Sequence, residues 1–165
     1  MPRPNIEQLR DIGLFGGLND AALEAVTEDI ESIDLVPGTV VMREGEHARE
    51  MFVVLSGELE VLRRSRGGAE GRVALLGPGS WFGEMSILDT QPRSATVQSV
   101  AQARVLKLSA EHLDRLYRRD QKAYLMVVLN IARELSRRLR VADGMISGFL
   151  DAIYDQNLGF SRPPR

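Results

Sequence analysis

Between Ile33 and Ser109 the apolar residues recur at every second position in short runs, and almost every run is closed by glycine or proline. Ile33 and Leu35 precede Pro37-Gly38, and Val40 and Met42 precede Gly45. The runs Met51–Arg64, Arg72–Ser80, Ala95–Val100 and Ala103–Ser109 follow. Gly57, Gly67-Gly68, Gly71, Gly77-Pro78-Gly79 and Gln91-Pro92 lie within or between them. A helix has no use for a period of two, and strands this short cannot bury one face unaided. The pattern therefore predicts a small antiparallel barrel or sandwich.

Both flanks read as helix. Ile6, Leu9 and Ile12 recur at helical spacing before Gly13, and Asn19 stands where it can cap a run carrying Leu23, Val26 and Ile30. Ser109, with Glu111 and His112 behind it, predicts the start of a short helix over SAEHLDRLYRR. A long helix follows from about Gln121, with Tyr124, Val128, Ile131, Leu135, Leu139, Ala142, Ile146, Phe149 and Ile153 at steps of three and four. Such a seam is that of a helix packed along another helix. A second row, Leu125, Leu129 and Ala132, leaves room for both the barrel and a partner chain. Gly144 and Gly148 are compatible with a hinge, a close helix approach or a frayed end. Four units result: an N-terminal helical segment (1–30), the barrel (31–109), the C-terminal helices (110–158) and a disordered tail (159–165).

Composition narrows the function classes. The 165 residues carry no cysteine, which excludes thiolate metal sites and cysteine nucleophiles. The two histidines, His47 and His112, are far apart, so a His-rich metal oxygenase on a small barrel lacks its ligands. A net charge of -2 argues against a nucleic-acid surface. No apolar run reaches membrane-spanning length, and MPRPNIEQLRDIG lacks a signal-peptide core. The expected location is the cytoplasm, with no membrane partner.

The stretch GEMSILDTQPRSATV, Gly83 to Val97, holds an acid, Glu84, and an arginine, Arg93, nine residues apart with small residues beside each, and a second acid, Asp89, between them. Small residues around Gly83 let backbone amides share a space, and a helical turn from Met85 to Leu88 would add a positive end. Arg93 can meet a phosphate through two parallel hydrogen bonds. Glu84 repels phosphate, yet it suits a ligand that also offers a hydroxyl, as ribose does. From these residues alone, a sugar phosphate site and a surface ion pair beside a hairpin both remain open.

The same stretch resembles the phosphate-binding cassette of cyclic-nucleotide-binding domains, the family of the bacterial catabolite activator and the kinase regulatory subunits. GTVVMREGEHAREMFVVLSGELEV (Gly38 to Val61) resembles that family's first signature, LRDIGLFGGLNDAALEAV its entry helices, and RRLRVADG (Arg137 to Gly144) part of its C-helix. The resemblance implies a jelly-roll, or double-stranded β-helix, barrel flanked by N-terminal helices and a long C-terminal helix, and a non-enzymatic sensor. It assigns Glu84 to the ribose 2′-hydroxyl, Arg93 to the cyclic phosphate, and Gly83, Met85, Ser86, Ser94 and Ala95 to the cassette that wraps the ribose phosphate. Ligand recognition needs no cofactor and no metal.

For the purine, the catabolite activator uses a Thr-Ser pair on its C-helix, and alignment on RRL puts Ala142 and Asp143 there. Asp143 can accept from the amine of adenine or from guanine, which leaves cAMP and cGMP both open, with cAMP favoured by the bacterial likeness; a solvent-facing Asp143 fits as well. The resemblance also implies a homodimer through Leu135, Leu139, Ala142 and Ile146, against packing on the chain's own barrel. Arg133, Arg137, Arg138 and Arg140 are compatible with an acidic partner, with phosphates or with a solvated face. In transcription-factor members a helix-turn-helix domain follows the C-helix; here the sequence ends first, so a stand-alone sensor acting on a separate, unnamed protein is expected. A scaffold of the same fold that has lost its ligand is the competing expectation.

Overall fold

The computed structural model describes residues 5–28 and 30–155. Helix α1 (Ile6–Arg10), a 3-10 turn (Gly13–Phe15) and α2 (Asp20–Thr27) lead into eight strands. These are β1 (Glu31–Leu35), β2 (Val40–Met42), β3 (Glu50–Ser56), β4 (Leu59–Arg64), β5 (Glu70–Leu76), β6 (Trp81–Phe82), β7 (Thr96–Ser99) and β8 (Ala103–Ser109). A short helix, α3 (Met85–Leu88), separates β6 from β7, and α4 (Ala110–Arg119) and α5 (Gln121–Asp155) follow β8. The strands form two antiparallel sheets, ordered β1-β8-β3-β6 and β2-β7-β4-β5. The jelly-roll reading holds, with β1 starting at Glu31 and β8 ending at Ser109.

Local chemistry sets the element ends. Asn19 accepts from the Ala22 amide at 2.9 Å and starts α2. Ser109 caps α4 in a reciprocal box, with His112 Nδ1 taking the Ser109 amide at 3.0 Å where a Glu or Gln usually stands. Gly57, at φ +81°, turns β3 into β4 against the backbone of Gln102 and Ala103.

The core has two compartments. Leu35, Met42, Phe52, Val54, Leu59 and Val97, drawn from both sheets, fill the barrel interior. Met51 and Val53 on β3, with Leu106 and Leu108 on β8, face outward instead and pack with Leu14, Phe15 and Leu23 and with Leu116, Val127 and Ile131 of the C-terminal helices. One sheet is thus covered on both sides, which explains the unbroken apolar run Met51-Phe52-Val53-Val54.

Helix α5 is committed to its own domain only in its first half. Ala123, Val127, Asn130 and Ile131 are buried, and Leu135 packs partly against the same core. Leu125, Leu129, Leu139, Ile146 and Leu150 lie on the opposite side and are exposed. The helix runs unbroken through Gly144 and Gly148, which meet nothing within 4 Å, so in this chain they mark neither a helix end nor a close approach. Among the described residues no helix is long and apolar enough to cross a membrane. The tail 159–165 lies outside the described residues, as do 156–158.

Candidate ligand-binding site

The cassette bridges the two sheets. It leaves the first from edge strand β6, where Phe82 and Trp81 pair with Phe52 and Val53, and joins the second at β7. The expected turn Met85–Leu88 is present as α3. Two backbone bonds pin the far half to the loop before β3: Gly45 N to Arg93 O at 2.9 Å and Arg93 N to Glu46 O at 2.8 Å. Gly83 is required where it stands. Its φ is +83°, and an added Cβ would lie 2.6 Å from Arg93 Nη1 and 3.0 Å from Glu50 O.

Arg93 is 4% exposed although its side chain carries a full charge. Its Nη1 donates to Gly83 O at 3.0 Å, and Nη2 reaches Glu50 Oε2 only at 3.4 Å. Nε is buried with no acceptor. The guanidinium lies 6.0 Å from the centroid of the Phe52 ring. Burial pushes its pKa down, opposed by the carboxylates of Glu50, Glu46 and Glu84. A buried cation with an unmet donor is costly by itself and suits an anion that arrives later.

Glu84 is 2% exposed. Burial raises its pKa above the usual carboxylate range, and the Arg138 guanidinium works the other way. Arg138 comes from α5. Its Nη1 donates to Glu84 Oε1 at 3.0 Å, its Nη2 to Trp81 O at 2.8 Å and its Nε to Glu134 Oε1 at 3.0 Å. One arginine therefore ties the long helix to both the cassette and β6.

Gly83, Glu84, Met85, Ser86, Arg93, Ser94 and Ala95 all line one cavity of about 290 Å³. Its far wall is apolar, from Val61, Ala74, Leu76 and Phe82, and Arg138 closes one side. Ser86 and Ala95 are buried, Met85 and Ser94 exposed. Asp143 is exposed and is not in the lining. It stands about 7.5 Å beyond Arg138 along the helix axis, at 1.5 Å per residue. Sequence reasoning left Arg138 open between an acidic partner, phosphates and a solvated face, and gave Glu50 no role. The signal for Arg138 was its spacing: Val127, Ile131, Glu134 and Arg138 follow one another at steps of four, three and four, which continues the buried stripe.

The family model described as the cyclic nucleotide-binding domain matches residues 33–120. The chain belongs to the cyclic nucleotide-binding domain family. Among curated relatives of such domains, it is 30% identical over 134 residues to the "CRP-like cAMP-activated global transcriptional regulator" of Mycobacterium tuberculosis, a match covering 81% of this chain and 58% of the relative. The chain thus spans little more than half the length of that regulator. Among solved cyclic nucleotide-binding structures, the catabolite activator protein of Thermus thermophilus aligns with a TM-score of 0.74 and 34% identity, over 83% of this chain and 62% of that one. The regulatory domain of Toxoplasma gondii PKA, solved with cAMP, aligns with a TM-score of 0.62 and 31% identity, over 67% of this chain and 42% of that one. By name these relatives are a transcriptional regulator, an activator and a regulatory domain.

Proposed function

We propose that the protein is a sensor that binds cAMP in the cassette cavity and acts by changing shape, not by catalysis. The observation that carries this is the buried Arg93, whose Nε lacks an acceptor beside a cavity that also holds the buried Glu84. A cyclic phosphate brings one negative charge and two free oxygens to that guanidinium. The ribose 2′-hydroxyl donates to Glu84, while Gly83, Met85, Ser86, Ser94 and Ala95 shape the cradle. The apolar wall of Val61, Ala74 and Leu76 receives the purine. The regulator from Mycobacterium tuberculosis is named for cAMP and the Toxoplasma gondii domain was solved with it, which favours adenine over guanine. The expected location is the cytoplasm. Titration calorimetry of nucleotide-stripped protein with cAMP and then cGMP tests the reading. Saturable binding of cAMP, tighter than that of cGMP, is the expected result; heat from neither ligand in a folded protein would refute it.

Glu84 and Arg138 supply the coupling. The ribose hydroxyl approaches a carboxylate that Arg138 already holds, so ligand binding alters the contact that anchors α5 to the cassette. Only a difference in ligand affinity between two positions of α5 can move it.

The raised pKa of Glu84 gives a signed pH dependence. A carboxyl raised on folding contributes stability below its unfolded pKa and loses that contribution as pH rises through the folded value. A ribose hydroxyl that donates to the carboxylate stabilises the charged form and pulls the pKa back. Binding should therefore release a proton in this window, and affinity should rise with pH through it and then level off. Calorimetry in two buffers of different ionisation heat measures the proton, and Glu84→Gln should abolish it.

The exposed row on α5 fits a second copy of this chain. Leu139 is 63% and Ile146 59% exposed, and Ala142 is exposed beside them, whereas Leu135 already packs on its own domain. Sedimentation should find a dimer, and Leu139→Glu with Ile146→Glu should give a folded monomer. A parent protein that sediments as a monomer at high concentration would rule this out.

A further inference from the structure

A second cavity, of about 580 Å³, opens beside the first, between the turn that joins β5 to β6 and the first half of α5. Leu75, Leu76 and Pro78 supply apolar lining, while Asp11, Arg133, Glu134, Arg137 and Arg138 supply charge. Arg137 and Arg138 both pair with Glu134, one on each carboxylate oxygen. Arg133 is held differently. Its Nη1 donates to Asn130 Oδ1 at 3.0 Å, and no carboxylate among the described residues pairs with it. Asn130 is buried, and its Nδ2 donates to Leu14 O at 3.1 Å and Gly16 O at 2.9 Å. Those two bonds fix the amide, so Oδ1 faces Arg133 in one orientation. A neutral acceptor orients a guanidinium without cancelling its charge. The result is an aimed guanidinium with no ion pair of its own, at the rim of a largely polar hollow of ligand size that carries one apolar patch.

We propose that this cavity binds a small carboxylic acid that carries a hydrogen-bond donor. Its carboxylate takes two parallel bonds from Arg133, its aliphatic body covers Leu75, Leu76 and Pro78, and an amino or hydroxyl group faces Asp11 on the other wall. Nothing in this depends on which nucleotide the first cavity takes.

Trp81 is the single tryptophan of the chain and lines this cavity, so its emission reports occupancy. The full chain would be titrated with leucine, with 2-hydroxy-4-methylpentanoate, and with 4-methylpentanoate, which lacks the donor. The expected result is a saturable change in emission with at least one of the first two, weaker with the third. Arg133→Gln should weaken it about tenfold or more, as loss of a charge-assisted pair implies. Arg133→Lys should fall between, and Asp11→Asn should narrow the gap between acids with and without a donor. Arg93→Gln, in the first cavity, should leave the titration unchanged. Arg133 is exposed, so its variants should keep the parent circular dichroism. No saturable response to any of the three acids at tens of millimolar overturns the proposal. So does a response that survives in Arg133→Gln, or one that disappears in Arg93→Gln.

Discussion

Replacing Arg93 with alanine should remove most of the nucleotide affinity and almost none of the stability. Truncating one member of a buried charge pair costs about 2–5 kcal/mol of binding, or about thirtyfold at the least. The unliganded fold has less to lose. Arg93 is buried with an unmet Nε and one long ion pair to Glu50. Removing it forfeits the bond to Gly83 O but also relieves the desolvated charge. The two effects oppose, so unfolding free energy should change by less than about 1 kcal/mol. Glu50 keeps a cation, since Lys107 Nζ lies 3.7 Å from its other oxygen. Arg93→Lys should bind between parent and Arg93→Ala, because one ammonium cannot reproduce the paired geometry. Calorimetry and urea unfolding on the same samples make the comparison. Unchanged affinity in Arg93→Ala would sink the phosphate assignment, and a large loss of stability would mean that Arg93 serves the fold first.

Gly57→Ala should have the largest effect on stability. The added Cβ would stand 2.4 Å from Gln102 O and 2.5 Å from Ala103 Cα, both backbone atoms that cannot rotate away. The residue also sits at φ +81°, which a side chain disfavours by about 1–2 kcal/mol. Overpacking adds about 1–3 kcal/mol. A total near 3 kcal/mol should lower Tm by about 10 °C in a chain of this length. Gly68→Ala is the control. Its φ is +86° with nothing within 4 Å, so only the conformational part applies and the shift should be about half as large. Equal shifts in the two variants would show that the close approach at Gly57 carries no cost.

Much of the fold was legible because it rests on periodicity. Strands that alternate and end at glycine or proline read directly, as did the caps at Asn19 and Ser109, because each depends on neighbours within a few residues. The two-residue strand β6 did not read, since Trp81-Phe82 is too short for a pattern and exists only through its pairing with β3. Nor did the double burial of Met51 to Val54, which reflects helices packed outside the sheet.

The site divides along the same line. The cassette's glycine, acid and arginine stand within one short stretch, so a local motif can offer their chemistry. What meets that cassette from elsewhere in the chain depends on long-range packing. It put Glu50, 43 residues before Arg93, beside the guanidinium, and Arg138, 54 residues after Glu84, on the carboxylate. It also left Asp143, the residue aligned to the purine contact, outside the cavity and in solvent. A motif fixes which groups are offered at short range. The rotation and reach of α5, set by how Val127 and Ile131 pack against the core, choose which of its side chains arrives.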